Sequence, residues 1–167
     1  MMRDRRLIVV LSALLVSAAG VARADVVSPQ APGWLAVSDG AGTVSIRGDG
    51  VIYGLVGQGS LVLMNYKPGV AGGAPAVTGA TAHVSDGLVV YSGLDIRFLL
   101  PEGRYDIEVI GSGIDLSAVG HGTASVVPPT AGAPAASSSG QMVLNGASPV
   151  SVDTLTTSGS FGPHTLP

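Results

Sequence analysis

Glycine recurs so often between Trp34 and Val127 that no room is left for a long helix, and the stretches between the glycines are β-prone. Short runs of Val, Ile, Leu, Thr and Tyr alternate with Gly-containing turns, the pattern of an all-β domain. Each glycine inside a helix would cost about 1 kcal/mol relative to alanine, so the spacing argues against helix throughout. The predicted architecture is a β-sandwich or partly open small barrel with Gly-rich hairpins. An aliphatic-Gly-x-Gly string recurs at Val56–Gly59, Ile110–Gly113 and Val119–Gly122, the last two nine residues apart, which keeps a β-solenoid as the alternative. Inside a β-run, Gly-x-Gly lets the strand bulge or turn a corner.

Hairpins and turns are expected all along the chain. Trp34–Ser38 and Thr43–Arg47 flank Asp39-Gly40-Ala41-Gly42, and Arg47-Gly48-Asp49-Gly50 turns into Val51–Val56. Gly57-Gln58-Gly59 bends the next run before Ser60–Tyr66, and residues 68–80 form a longer loop. Thr81–Val84 meets Leu88–Tyr91 across Ser85-Asp86-Gly87. The clearest expected hairpin joins Leu94–Leu100 to Arg104–Ile110 through Pro101-Glu102-Gly103, pairing Phe98 with Ile107 and Arg97 with Glu108. Ile114–Val119 and Thr123–Val127 complete the domain. Val-Ser-Asp-Gly at 37–40 and again at 84–87 is a weak internal echo.

The first 24 residues have the layout of an export signal. Arg3, Arg5 and Arg6 form a positive start, Leu7–Val16 is apolar except for Ser12, and Ala22-Arg23-Ala24 supplies small residues for cleavage before Asp25. The apolar run is shorter than the roughly 20 residues a membrane helix needs. Arg5-Arg6 resembles a weak twin-arginine signal, but Asp4 favours the general secretory route. The chain has no cysteine, so neither a lipoprotein anchor nor a disulfide is available, and the exported domain must be stable by burial alone.

The expected organisation is a signal peptide at 1–24, a linker at 25–30, an all-β domain at 31–128 and a Pro/Ala/Ser/Gly-rich flexible tail at 129–167. Within that tail only Met142–Leu144 has the makings of a short strand. Without residues 1–24 the chain keeps 4 basic and 10 acidic residues, a net charge of −6. That sign gives nucleic-acid or anionic-membrane binding no electrostatic support. Charged residues make up 11% of the chain, against about 25% in ordinary soluble domains. A neutral surface of this kind suits an envelope or extracellular protein.

No catalytic, cofactor-binding or metal-binding residue emerges from the sequence. Arg47-Gly48-Asp49 is a literal RGD tripeptide at an expected hairpin tip, although Asp-Gly is also ordinary turn chemistry. His83, His121 and His164 are far apart and lack a metal-ligand pattern. Asp115, Ser117 and His121 contain the residue types of a nucleophile triad without its Gly-x-Ser-x-Gly elbow. Asp106 and Glu108 read as a solvated face opposite Arg97 and near Arg104 rather than as a glycosidase pair. Gly48-x-Gly50 with Gly54 misses the spacing of a dinucleotide-binding loop.

One feature points to a partner. Val51–Val56, Leu61–Met64, Leu88–Tyr91 and Leu99–Leu100 are apolar on both faces, and an exposed strip of that kind marks an interaction site. The candidate surface is Val51, Tyr53, Leu55, Val62, Met64, Val89 and Tyr91.

The segment Gly103-Arg104-Tyr105-Asp106-Ile107-Glu108-Val109-Ile110-Gly111-Ser112-Gly113-Ile114-Asp115-Leu116-Ser117-Ala118-Val119-Gly120-His121-Gly122-Thr123, within about residues 87–127, resembles secreted all-β proteins of high-GC Gram-positive bacteria. The resemblance implies export and a β fold, and carries no activity or functional residue over to this chain. The expected role is therefore non-enzymatic: an exported interaction or structural module that binds a cell-envelope component or self-associates. The alternative is a secreted hydrolase or inhibitor whose site is assembled only by the fold.

Overall fold

The computed structural model describes residues 33–129, 140–152 and 156–162. The expected signal peptide and linker lie outside them. Six strands follow in order: β1 (Trp34–Pro68), β2 (Ala76–Ser85), β3 (Leu88–Val127), β4 (Gln141–Leu144), β5 (Val150–Ser151) and β6 (Thr157–Phe161). They form one open antiparallel sheet in the order β2-β3-β1-β4-β5, with β6 paired to β3. There is no helix among the described residues.

The two long strands meet each other twice. Gly50 lies opposite Gly103 on one edge of β1 and opposite Gly120, seventeen residues further along β3, on the other. Seventeen residues of straight strand would span about 56 Å, yet two strand spacings separate those glycines by only about 10 Å. β3 must therefore complete a full winding in that distance, with β1 wound between its turns. The sheet is a rolled ribbon with free ends, not a closed barrel.

The glycines mark where the roll turns its corners. Gly93, Gly59, Gly111 and Gly42 are successive cross-strand neighbours, and Gly79 abuts the same row against Asp95. Gly103, Gly50 and Gly120 make a second row, extended by the bond from Gly120 N–H to the Gly33 carbonyl at 2.7 Å. At Gly50 φ is +137°, and a Cβ there would sit 2.0 Å from the Val119 carbonyl oxygen. Only glycine lets the backbones come this close. Between the rows, 34–41, 51–58, 94–100 and 112–119 form a first wall with β4 and β5. The second wall holds 43–49, 60–68, 88–92, 104–110 and 121–127 with β6. The nine-residue Gly-x-Gly spacing thus reports corners of an antiparallel ribbon, not rungs of a solenoid.

The core is the inside of the roll. Leu35, Val44, Ile52, Val56, Leu61, Ile96, Leu100, Ile107, Val109, Ile114, Ala118 and Val126 are fully buried, and full burial of a large aliphatic side chain is worth about 1.5–3 kcal/mol. Corners reset the alternation. Across Gly57–Gly59 the buried set changes from even numbers (Ile52, Val56) to odd (Leu61, Leu63). On the facing strand, the change across Gly111–Gly113 is from odd (Ile107, Val109) to even (Ile114, Leu116).

Most expected hairpins are corners instead. Leu94–Leu100 and Arg104–Ile110 do not pair with each other: Phe98 lies opposite Gly54 and Val77, and Ile107 opposite Ile46 and Leu63. Arg97 faces Leu55 and Thr78, and Glu108 faces Ser45 and Val62, so the expected Arg97–Glu108 pair is absent. The breaks at 39–42 and 47–50 likewise stay within β1. The hairpin that does form joins β2 to β3, with Ser85 opposite Leu88. Positive φ at both Asp86 (53°) and Gly87 (79°) gives the type I′ turn that suits strand twist. β2 also begins at Ala76, which shortens the expected 68–80 loop.

The expected tail contributes three strands. Met142, Val152 and Phe161 are buried in the common core, and Asn145 ties them to the start of β1. Its Oδ1 accepts from Gly33 N–H at 2.9 Å and Gly162 N–H at 3.1 Å, and its Nδ2 donates to the Ser160 carbonyl at 3.3 Å. Asn145→Ala leaves two backbone donors unpaired at a half-buried site. It is expected to cost about 1–3 kcal/mol and to deprotect β4 and β6 amides before the rest, as read by hydrogen exchange.

Candidate functional site

Outward-facing side chains on the first wall include neighbouring apolar rows. Val119 lies between Trp34 and Val51, and Tyr53 lies between Leu99 and Ser117. Tyr53 is 56% exposed, Val119 49% and Leu99 43%, while Trp34, Val51 and Leu55 are half-buried. Arg97 and Asp115 border the rows on either side of Leu55. A hollow of about 430 Å³ opens at Tyr53, Leu55, Arg97, Asp115 and Ser117.

The seven candidate residues therefore do not form one surface. Val51, Tyr53 and Leu55 share the outer face of the first wall. Val62 and Met64 face outward from the second. Val89 and Tyr91 lie opposite Leu63 and Leu61 and pack inward against the core, which corrects their assignment to an exposed strip. Trp34 and Val119, which were missed, complete the Tyr53 face together with Leu99, from the apolar Leu99–Leu100 run but outside the seven. Leu99 and Val119 sit beside buried Leu100 and Ala118, so alternation outward from those core positions could have found them.

Outside, the second wall mixes polar side chains with the exposed Met64, Ile110 and Val127. Its hollow of about 520 Å³ has Ser45, Thr123, Ser125 and Ser158 in its lining, with Arg47, Asp106 and Met64. Arg47 Nε donates to Asp106 Oδ2 at 2.8 Å, so Asp106 pairs with Arg47 rather than facing Arg97. The pair is exposed, a setting in which such bridges are worth at most about 1 kcal/mol.

At the second glycine row, Asp49 lies 3.4 Å from Arg104 Nε and 3.5 Å from His121 Nε2. The Arg-Gly-Asp tripeptide is thus part of β1 at a corner, with both charged residues engaged, not a projecting hairpin tip. A hollow of about 420 Å³ gathers His121, Asp49 and Glu102 with Lys67 and Arg104, and no hydroxyl side chain is in its lining. Asp115 and Ser117 lie on the first wall, beyond the Gly120 corner from His121, and Asp115 accepts the Asp39 N–H at 2.9 Å. The three residues of the triad motif are not brought together. Tyr105 is buried beneath this corner, and burial together with the Asp49 charge holds its phenol far above the ordinary range. Tyr66 is also raised by burial; its one hydroxyl proton has two carbonyl acceptors in reach, Gly73 at 2.9 Å and Pro101 at 3.1 Å.

Among the described residues, no group of three or more His, Cys, Asp or Glu is placed to hold a metal ion. Nor is any helix there long and apolar enough to cross a membrane. No protein-family model, curated protein or solved structure matches the chain.

Proposed function

We propose that this is an exported protein that works by binding rather than by chemistry: a cell-envelope or extracellular module whose partner is an envelope component or a second copy. The observation that carries the reading is the exposed apolar set Tyr53, Leu99 and Val119, flanked by Trp34 and Val51, on a β-face bordered by one arginine and one aspartate. Apolar surface grouped in this way, with a polar rim, is what a docking face requires. Aromatic anchors dominate the energetics of such faces. Export is supported by the basic start, short apolar run and Ala22-Arg23-Ala24 of the sequence.

The test is retention of the chain from Asp25 onward on insoluble peptidoglycan and wall polysaccharide, with light scattering in parallel. The Tyr53→Ser/Leu99→Ser double variant is expected to lose at least ~10-fold in retention. Both side chains face water in the free protein, so its melting temperature should stay close to that of the parent. A chain that ignores both polymers and is monomeric at every concentration would overturn the reading.

A further inference from the structure

The free margin of the roll at β2 is built differently from the rest of the surface. Among the described residues β2 pairs with β3 alone, so its other edge is open. The closing pair Ser85–Leu88 sets the phase of the β2–β3 ladder. In an antiparallel ladder alternate residues turn their backbone groups away from the partner. The N–H and C=O of Ala80, Ala82 and Val84 therefore point off the edge. Residues 76–85 contain no Asp, Glu, Lys, Arg or Pro, the usual guards of an edge strand.

A second observation concerns the core side of the same strand. Val84 lies opposite Val89, which packs on the core, yet Val84 is 73% exposed. The inner face of the roll thus runs out past its own cover at this margin.

We propose that β2 is the interface through which two copies of this chain pair, edge to edge and antiparallel, about a two-fold axis at Ala82. The register is self-complementary. Ala82 meets its own copy, Ala80 meets the other copy's Val84, and Thr81 meets its His83, with about six new backbone hydrogen bonds. The pairing extends each copy's core face across the axis and covers Val84. The two copies match face to face: Ala80, Ala82 and Val84 lie on the core side with Val89 and Tyr91, Thr81, His83 and Ser85 lie on the other, and residues 80–85 carry no acid that would add to the repulsion between two chains of net −6. The bulge between Thr78 and Ala80, with Gly79 at φ +76°, ends the paired stretch. A paired edge of five residues, 80–84, is short, which sets a weak, concentration-dependent dimer.

This inference rests on the self-association part of the binding reading and is independent of the Tyr53 face. Sedimentation of the chain from Asp25 onward, from low micromolar to several hundred micromolar, should move from one chain to two and no further. Hydrogen exchange should show the Ala80, Ala82 and Val84 amides gaining protection with concentration, while Thr81 and His83, bonded to β3, are protected throughout. Ala82→Pro removes an N–H that points away from β3, so it should weaken dimerisation at least ~10-fold. Val84→Lys, at an exposed position, should do the same without altering the fold. A single-chain mass at all concentrations would overturn the dimer, while polymer retention by the Tyr53 face would still stand. It would equally be overturned by assemblies larger than two, by variants that dimerise like the parent, or by Ala80 and Val84 amides already protected in the most dilute sample.

Discussion

Gly50→Val is expected to leave no stably folded protein, with a loss of at least ~5 kcal/mol against the 5–15 kcal/mol that holds a typical domain together. Gly50 has φ +137°, and its Cβ would lie 2.0 Å from the Val119 oxygen and 2.9 Å from Gly120 Cα. All of these are backbone atoms, so no rotamer change relieves the clash. The neighbours are themselves fixed, because Gly50 is paired on both edges. Gly87→Ala provides the control. Its φ is also in the left-handed range (+79°), but nothing lies within 4 Å of a Cβ there. That variant should lose only about 1 kcal/mol, the ordinary cost of a side chain in this conformation. Urea denaturation followed by circular dichroism compares them. Similar midpoints for Gly50→Val and Gly87→Ala would mean that the corner is not the close approach described above.

Phe98→Ala is expected to be the costliest core truncation, at about 3–5 kcal/mol. Phe98 is 4% exposed, and its ring covers Gly54, with Cζ 2.7 Å from where a Gly54 Cβ would be. Glycine and ring fill one volume between them. Gly54→Ala should therefore be destabilising in the parent and measurably less so in the Phe98→Ala background, where the ring is gone. Part of the cost should persist, because the Asp115 carbonyl is 2.9 Å from the same Cβ position. The coupling read from a double-mutant cycle should exceed ~0.5 kcal/mol. Strict additivity would show that ring and glycine do not share the space.

The inward residues were legible because alternation within each arc is strict. Ile96, Phe98 and Leu100, then Tyr105, Ile107 and Val109, are buried as the pattern requires. The Asp86-Gly87 turn was legible because its chemistry is local. Strand partners were not. A Pro-Glu-Gly break between two alternating runs fits a hairpin and a corner equally well, and the winding that decides between them depends on residues seventeen positions away. The misplacement of Val89 and Tyr91 has the same origin, since the inward set switches from odd to even across Gly93 and Asp95, the latter at φ +53°. In the expected tail the Met142–Leu144 strand was visible and is part of β4, whereas isolated Val152 and Phe161 gave no periodic signal, although each is buried. Of the candidate surface, Tyr53 and its β1 neighbours were visible in the sequence. Leu99, Val119 and Trp34 became their neighbours only through the pairing.

The winding also governs when this fold can come into being. Each arc of β1 waits for an arc of β3 that is made much later: Trp34 pairs with Val119, and Thr43 with Val127. Folds dominated by such distant pairings are slow to form, on the order of milliseconds to seconds. As the chain emerges from a ribosome, the hairpin of β2 with the start of β3 is the first native piece that can assemble. Until residues near 127 are free, β1 has no partner along the outer edge of its 43–50 arc. A chain halted before that point keeps that outer edge open, with only 103–110 paired to the arc, and an open edge is exposed to proteases and to its own neighbours.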